Sequence, residues 1–136
     1  MAKQKEFQLP PFRRGFHVIT DIVLENLPEL PEAGILHLYI KHTSAGLAIN
    51  ESHAPEVLTD FETVFNKLVP EDVSWYSHTE EGKDDMPAHI KSVLSGTSVQ
   101  VPVTNGKLNM GTWQGIYLCE FRNNGGSRKL VATLTG

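Results

Sequence analysis

The chain of 136 residues carries 12 basic and 16 acidic side chains, a net charge of −4, and 40% of its residues are hydrophobic. This length predicts one domain over residues 1–136, and the composition excludes a strongly charged, disordered chain. The acidic balance argues against nucleic-acid binding, and no apolar run reaches the roughly 20 residues that span a bilayer, so we expect no membrane insertion. Cys119 has no disulfide partner and segment 1–10 has no signal-peptide pattern, so we expect a cytoplasmic protein.

The first part of the chain predicts strands. Apolar and aromatic runs predict strands at Lys5–Leu9 and Gly15–Thr20, whereas two prolines leave Asp21–Ala33 ambiguous. Strict alternation predicts a strand over Gly34–Thr43, in which His42 shares the apolar, inward face.

The middle of the chain predicts two helices. Leu47–Asn50 fits a continuation of the preceding strand or a partner to it. Apolar residues at helical spacing predict a helix over Pro55–Leu68, with proline in its first turn. Asp72–Gly82 predicts a short strand entering a loop, and a second helix is predicted over Pro87–Ser95.

The last third of the chain predicts strands joined by tight turns. Ser98–Val103 precedes a hairpin turn at Thr104–Lys107, which contains Asn-Gly. Ile116–Arg122 and Leu130–Leu134 are predicted to pair as a final hairpin. The order of elements predicts an α+β fold with two helices and a mainly antiparallel sheet.

Three histidines are candidate metal ligands. His42 ends a predicted strand, and His78 and His89 flank four acidic residues in a loop that opens the second helix. The helix dipole favours a neutral imidazole at His89, which is the form that binds a metal. Alternatively, His42 is a hydrogen-bonded core residue and the other two lie on a solvated surface loop. No short metal motif is present, so the prediction requires that the fold bring all three together.

Acidic residues and an arginine accompany these histidines. Glu51, Asp84 or Asp85 would orient the imidazoles or act as a base. Glu120 and Arg122 share one face of a predicted strand. They form either a structural ion pair or a site in which the guanidinium holds a phosphate or carboxylate.

Taken together, three motifs resemble the YjbQ-like family, whose members are often labelled "secondary thiamine-phosphate synthase enzyme". The motifs are His42–Leu47 with Ile49–Glu51, His78–Lys91, and Gly111–Leu118 followed by Glu120 and Arg122. The resemblance implies a bifurcated antiparallel sheet, a homotrimer, and a metal-containing pocket lined by the residues that correspond to His42, His78 and His89. The remaining polar positions of the motifs are matched by Glu51, Asp84, Asp85, Glu120 and Arg122. The family label implies that a pyrimidine diphosphate is joined to a thiazole phosphate.

The sequence therefore predicts a metal-dependent enzyme that acts on a small phosphorylated metabolite. A site rich in histidine favours zinc, while transfer from a diphosphate would more commonly use magnesium. The alternative is a non-catalytic homotrimer that binds a metal or another ligand through the same histidines.

Overall fold

The structure is a computed structural model that describes residues 1–136. It contains eight strands and three helices. The elements are β1 (Lys3–Gln8), β2 (Gly15–Val18), α1 (Thr20–Glu25), β3 (Ala33–Ile40), β4 (Ala45–Glu51), α2 (Pro55–Leu68), α3 (Asp85–Ser95), β5 (Ser98–Thr104), β6 (Lys107–Leu108), β7 (Gln114–Glu120) and β8 (Lys129–Thr135).

The strands form two sheets in which every neighbouring pair is antiparallel. The larger sheet has the order β1-β8-β3-β5-β6, and the smaller has the order β2-β7-β4. The predicted α+β fold with an antiparallel, divided sheet is confirmed. The Asn-Gly turn is confirmed too, because Asn105 and Gly106 have φ values of 52° and 74°, as a tight hairpin between β5 and β6 requires.

Two local predictions and the predicted number of helices are wrong. β7 and β8 do not form a hairpin, because β7 pairs with β2 and β4 while β8 pairs with β1 and β3. Residues 71–84 form turns and bends with no strand, and the ambiguous segment contains a third helix, α1. Strand pairing is decided by packing between distant segments, which a local alternation of residues does not encode.

The core lies where the two sheets pack together. The predicted inward face of β3 is fully buried, with Leu36, Leu38 and Ile40 no more than 1% exposed. Leu47 on β4 and Leu118 on β7 belong to the same apolar cluster. Burial of a side chain of this size contributes roughly 2 kcal/mol, so this contact fixes the arrangement of the sheets.

Helix α2 covers the smaller sheet through aromatic contacts. Its bounds match the predicted Pro55–Leu68, with proline at the start of the helix. Phe16 on β2 packs against Phe61 and Phe65, with ring centroids 5.4 and 5.1 Å apart. The loop that follows α2 is thereby placed beside one end of the smaller sheet.

Helix α3 lies against the start of β4. The Ser92 hydroxyl donates to the Ala45 carbonyl over 2.7 Å, and a Cβ at Gly46 would stand 2.8 Å from the Gly96 carbonyl oxygen. Glycine at position 46 is therefore required for the close approach of helix to strand. Because Ala45 pairs with Glu120, the start of β4, the end of β7 and helix α3 meet at one place.

Candidate metal site

Two histidines and one aspartate converge beside the N-terminal turn of α3. Asp85 and His89 lie one turn apart on this helix, and His78 reaches them from the preceding loop. Nε2 of His78 is 2.7 Å from Oδ2 of Asp85, and Nε2 of His89 is 3.1 Å from the same oxygen. Asp85 is 2% exposed, whereas the side chain of His78 is 46% exposed. The cluster therefore has a buried carboxylate and a solvent-facing imidazole.

The tautomer of His89 leaves a lone pair directed at this carboxylate. Nδ1 of His89 lies 2.9 Å from the Thr43 carbonyl, which can only accept, so Nδ1 carries the proton. In a neutral imidazole, Nε2 then faces an oxygen of Asp85 with no proton between them. Either a second proton or a cation must occupy this position.

The three potential ligand atoms are close enough to share one metal ion. They lie within 4.8 Å of one another. Ligands held at zinc's usual distance of about 2.0–2.1 Å in a tetrahedron are separated by about 3.3 Å, so small side-chain shifts would suffice. The donor set of two imidazoles and a carboxylate suits zinc.

Arg122 orients the aspartates. Its Nε donates to Asp84 over 2.8 Å, its Nη1 donates to Asp85 over 2.6 Å, and its Nη2 donates to the Glu81 carbonyl over 3.0 Å. Three of the five guanidinium N–H groups thus donate within the chain, and the predicted contact of Arg122 with a bound anion stays a prediction. The considered ion pair between Glu120 and Arg122 does not form, because each residue has another partner.

These contacts keep the carboxylates ionised. Burial alone would raise the pKa of Asp85, but the hydrogen bond from His78 and the charge of Arg122 outweigh it, so the pKa is lowered. The pKa of Asp84 is lowered in the same way, since the Asn123 amide and Arg122 overcome the effect of burial. The hydrogen bond with Asp85 raises the pKa of His78.

The structure does not bring His42 into this cluster. Its Nε2 accepts the Lys129 amide proton over 2.8 Å, which places the ring proton on Nδ1. Burial, followed by the charge of Arg128, lowers the pKa of His42. A neutral imidazole whose only lone pair is already used is a poor metal ligand. Of the three predicted ligands, the chain therefore joins His78 and His89, and Asp85 replaces His42.

Glu120 and Glu51 also lie outside the cluster. Glu120 is fully buried and forms an ion pair with Arg128, with Nη2 and Oε2 2.5 Å apart. Glu51 is at the far end of β4, six residues from Ala45, which corresponds to about 20 Å along a strand. Its carboxylate accepts the His53 amide, and its carbonyl accepts the Tyr117 hydroxyl.

Sequence reasoning missed one contributor to the cluster and the partner of one residue that lies outside it. The Thr43 carbonyl fixes the tautomer of His89, but a backbone group has no residue-type signal. Arg128, which neutralises Glu120, lies in the stretch Gly-Gly-Ser-Arg. The two glycines were the signal in the sequence that the backbone makes a close contact there. A Cβ at Gly125 would lie 2.7 Å from Oε2 of Glu120, so the backbone there must approach the buried ion pair.

A cleft of about 400 Å³ opens beside the cluster. His78 belongs both to the cluster and to the wall of the cleft. The volume of the cleft lies within the range of about 300–1,000 Å³ that is typical of small-molecule sites. Other wall residues include Val73, Tyr76, Met86 and Lys83. A ligand in this cleft would therefore contact His78.

The chain is similar throughout to proteins of one family. Residues 5–136 match the family described as UPF0047 protein YjbQ-like. The UPF0047 protein YjbQ of Escherichia coli O157:H7 is 48% identical over 138 residues, covering 100% of this chain and 99% of that protein. The protein of the same name from Salmonella typhimurium is 50% identical, with the same coverage.

Solved structures with this fold come from archaea and bacteria. A YbjQ-like protein of unknown function from Sulfolobus solfataricus has a TM-score of 0.85 and 25% identity, covering 100% of this chain and 98% of that one. An uncharacterised YjbQ/UPF0047 protein from Clostridium acetobutylicum has a TM-score of 0.81 and 34% identity, covering 96% and 99%. None of the helices in our structure combines the length and the apolar character needed to cross a membrane.

Proposed function

We propose that this chain, which belongs to the UPF0047 YjbQ-like family, is a metal-dependent enzyme acting on a small phosphorylated metabolite. One observation carries the proposal: Nε2 of His78 and Nε2 of His89 converge on one carboxylate oxygen of Asp85. Zinc is the favoured ion, held by these three residues, with magnesium as the alternative.

Three protein ligands beside a cleft favour an enzyme over a structural site. Structural zinc sites are closed by four protein ligands, whereas catalytic sites keep a position for water or substrate. A bound zinc would lower the pKa of a water molecule to about 7 and take up negative charge on a phosphate oxygen. Arg122 holds Asp85 in place, and the Thr43 carbonyl holds His89, so both ligands are positioned before a substrate enters.

This donor set favours hydrolysis of a phosphate ester. In that reaction an oxygen from water bonds to phosphorus, the bond from phosphorus to the ester oxygen breaks, and the leaving alcohol takes a proton. Glu81 is the nearest unburied carboxylate, 3.2 Å from Nε2 of His78, and can accept the proton that the water loses.

Thiamine-phosphate synthesis fits as a secondary activity. There the thiazole nitrogen bonds to the pyrimidine methylene carbon, and the bond from that carbon to the diphosphate oxygen breaks. Departure of diphosphate is more commonly assisted by magnesium on oxygen ligands. We therefore expect this reaction to be slower than ester hydrolysis.

Assembly as a cytoplasmic homotrimer completes the proposal. Val93 and Leu94, which are neighbours on α3, are 83% and 58% exposed. Contiguous exposed apolar side chains are typical of surfaces that are covered by another protein chain. Sedimentation equilibrium would give three times the 15.1 kDa chain mass for a trimer, and the chain mass itself would exclude one.

The metal site is tested by binding and by turnover. The unmodified protein should bind one zinc per chain and hydrolyse members of a panel of phosphate monoesters. Asp85→Asn and His89→Gln should lose both properties, whereas His53→Gln, an exposed histidine elsewhere, should retain them. Circular dichroism controls for folding.

Two outcomes would contradict the proposal. The proposed metal site is refuted if the unmodified protein binds no zinc, or if Asp85→Asn and His89→Gln both still bind it. Zinc binding without any turnover, with variants that lose thermal stability along with the metal, would support the non-catalytic alternative.

A further inference from the structure

The cleft beside His78 contains one lysine, and that lysine already holds a carboxylate. Nζ of Lys83 lies 3.0 Å from Oδ1 and 3.2 Å from Oδ2 of Asp72. Both residues line the cleft. They come from opposite ends of the loop between α2 and α3, 11 residues apart.

This ion pair is weak enough to be exchanged. The side chains of Lys83 and Asp72 are 72% and 64% exposed, and pairs of such exposure contribute about 1 kcal/mol or less. A phosphate dianion carries more charge than a carboxylate and offers more acceptor oxygens. It can therefore compete with the Asp72 carboxylate for the lysine.

The backbone at Asp72 is held in an unusual conformation. Its φ of 55° lies in the left-handed region, which is uncommon for residues other than glycine. Tyr76 restrains the same loop, because its hydroxyl donates to the Pro70 carbonyl over 2.8 Å. The carboxylate of Asp72 is thus placed at the cleft by a constrained loop, as backbone outliers near functional sites often are.

The arginine nearest to the cluster is already engaged by other acceptors. All three nitrogens of Arg122 donate to Asp84, Asp85 and the Glu81 carbonyl. Among the wall residues, Ser74 and Thr79 add hydroxyl groups, while Val73 and Met86 are apolar. Besides His78 and Tyr76, the cleft therefore offers one exchangeable ammonium group, the hydroxyls of Ser74 and Thr79, and an apolar surface.

We infer that Lys83 is the anion-binding residue of this cleft and that Asp72 occupies it in the absence of ligand, so that a substrate phosphate binds by displacing Asp72. The inference rests on the proposed function for the identity of the reaction, but the anion subsite itself does not require a metal. The apolar wall then faces the organic part of a small phosphate monoester.

Phosphate binding to single-site variants tests this assignment. Isothermal titration of inorganic phosphate is compared in the unmodified protein, Lys83→Met, Lys83→Arg and Asp72→Asn, with and without zinc. Loss of the lysine charge in Lys83→Met should raise the dissociation constant for phosphate about tenfold or more, and Lys83→Arg, which keeps the charge, should retain much of the affinity. Asp72→Asn should tighten binding about threefold because the competitor is removed. Asparagine tolerates the left-handed backbone, so this variant keeps the loop conformation.

A matched control uses another exposed ion pair. Lys41 lies 3.0 Å from Glu6, and both side chains are 47% exposed. Lys41→Met removes the same charge from the surface and should leave phosphate binding unchanged.

The outcomes separate this inference from the proposed metal site. If zinc does not bind, the metal-free titrations still measure the role of Lys83. Equal phosphate affinity in Lys83→Met and the unmodified protein, weaker binding in Asp72→Asn, or no phosphate binding at all would overturn the inference. If the zinc affinity of Lys83→Met and Asp72→Asn equals that of the unmodified protein, the two substitutions act on phosphate binding alone.

Discussion

Replacement of Lys91 by methionine should stabilise the protein at neutral pH. The Lys91 side chain is 1% exposed, and its ammonium donates to Asn66 over 2.6 Å and lies 6.0 Å from the centre of the Phe121 ring. Burial, followed by the charge of Arg14, lowers the pKa of Lys91 from 10.5 to about 8. The charged form is therefore disfavoured in the folded state.

The size and sign of the effect follow from this pKa. The lowered pKa means that the charged lysine destabilises the folded state by about 3 kcal/mol at pH 7. Methionine removes this penalty but also loses the hydrogen bond to Asn66, which is worth about 1.5 kcal/mol. Lys91→Met should thus raise the free energy of unfolding by about 1–2 kcal/mol. Between pH 8 and 10.5 the unfolded chain binds more protons at this lysine, so the stability of the unmodified protein rises with pH and the advantage of the variant shrinks.

Urea denaturation at pH 7 and pH 10 measures this difference. Lys67→Met, on the exposed face of α2, is the control and should change the free energy of unfolding little at either pH. The reasoning is refuted if Lys91→Met destabilises the protein at pH 7, or if its effect is the same at both pH values.

Three further predictions concern the network around the site. If zinc binds as proposed, Arg122→Lys should weaken its affinity about 10- to 100-fold in chelator competition, because one ammonium cannot hold both Asp84 and Asp85; unchanged affinity would contradict this. The lowered pKa values of Asp84 and Asp85 stabilise the metal-free folded state at pH values above their usual pKa of 3.8, and this stabilisation is lost as the pH falls through the lowered pKa values. Because Arg122 contributes to both shifts, the Arg122→Met variant should unfold at a higher pH than the unmodified protein in an acid titration. Gly125→Ala should cost about 3 kcal/mol or more in urea denaturation, because its Cβ would stand 2.6 Å from Cδ of the buried Glu120. The same change at Gly126 should cost less, because no heavy atom lies within 4 Å there and only the left-handed φ of 70° opposes a side chain.

Local patterns in the sequence were sufficient for individual elements. Apolar spacing located α2 to the residue, alternation identified the buried face of β3, and Asn-Gly identified the tight turn after β5. These predictions succeeded because helical period, strand period and turn conformation depend on neighbouring residues. Partner choice between strands failed for β7 and β8, because it depends on contacts between segments far apart in the chain.

The candidate site divides in the same way. The sequence by itself determined the inventory of imidazoles and carboxylates, and the resemblance it carries led to the correct family. Tertiary structure alone decided which of these groups meet. It set Asp85 between His78 and His89, gave the lone pair of His42 to the Lys129 amide, and placed Glu51 at the opposite end of β4. Hydrogen-bond partners and tautomers are properties of atoms brought together by folding, and residue order does not specify them.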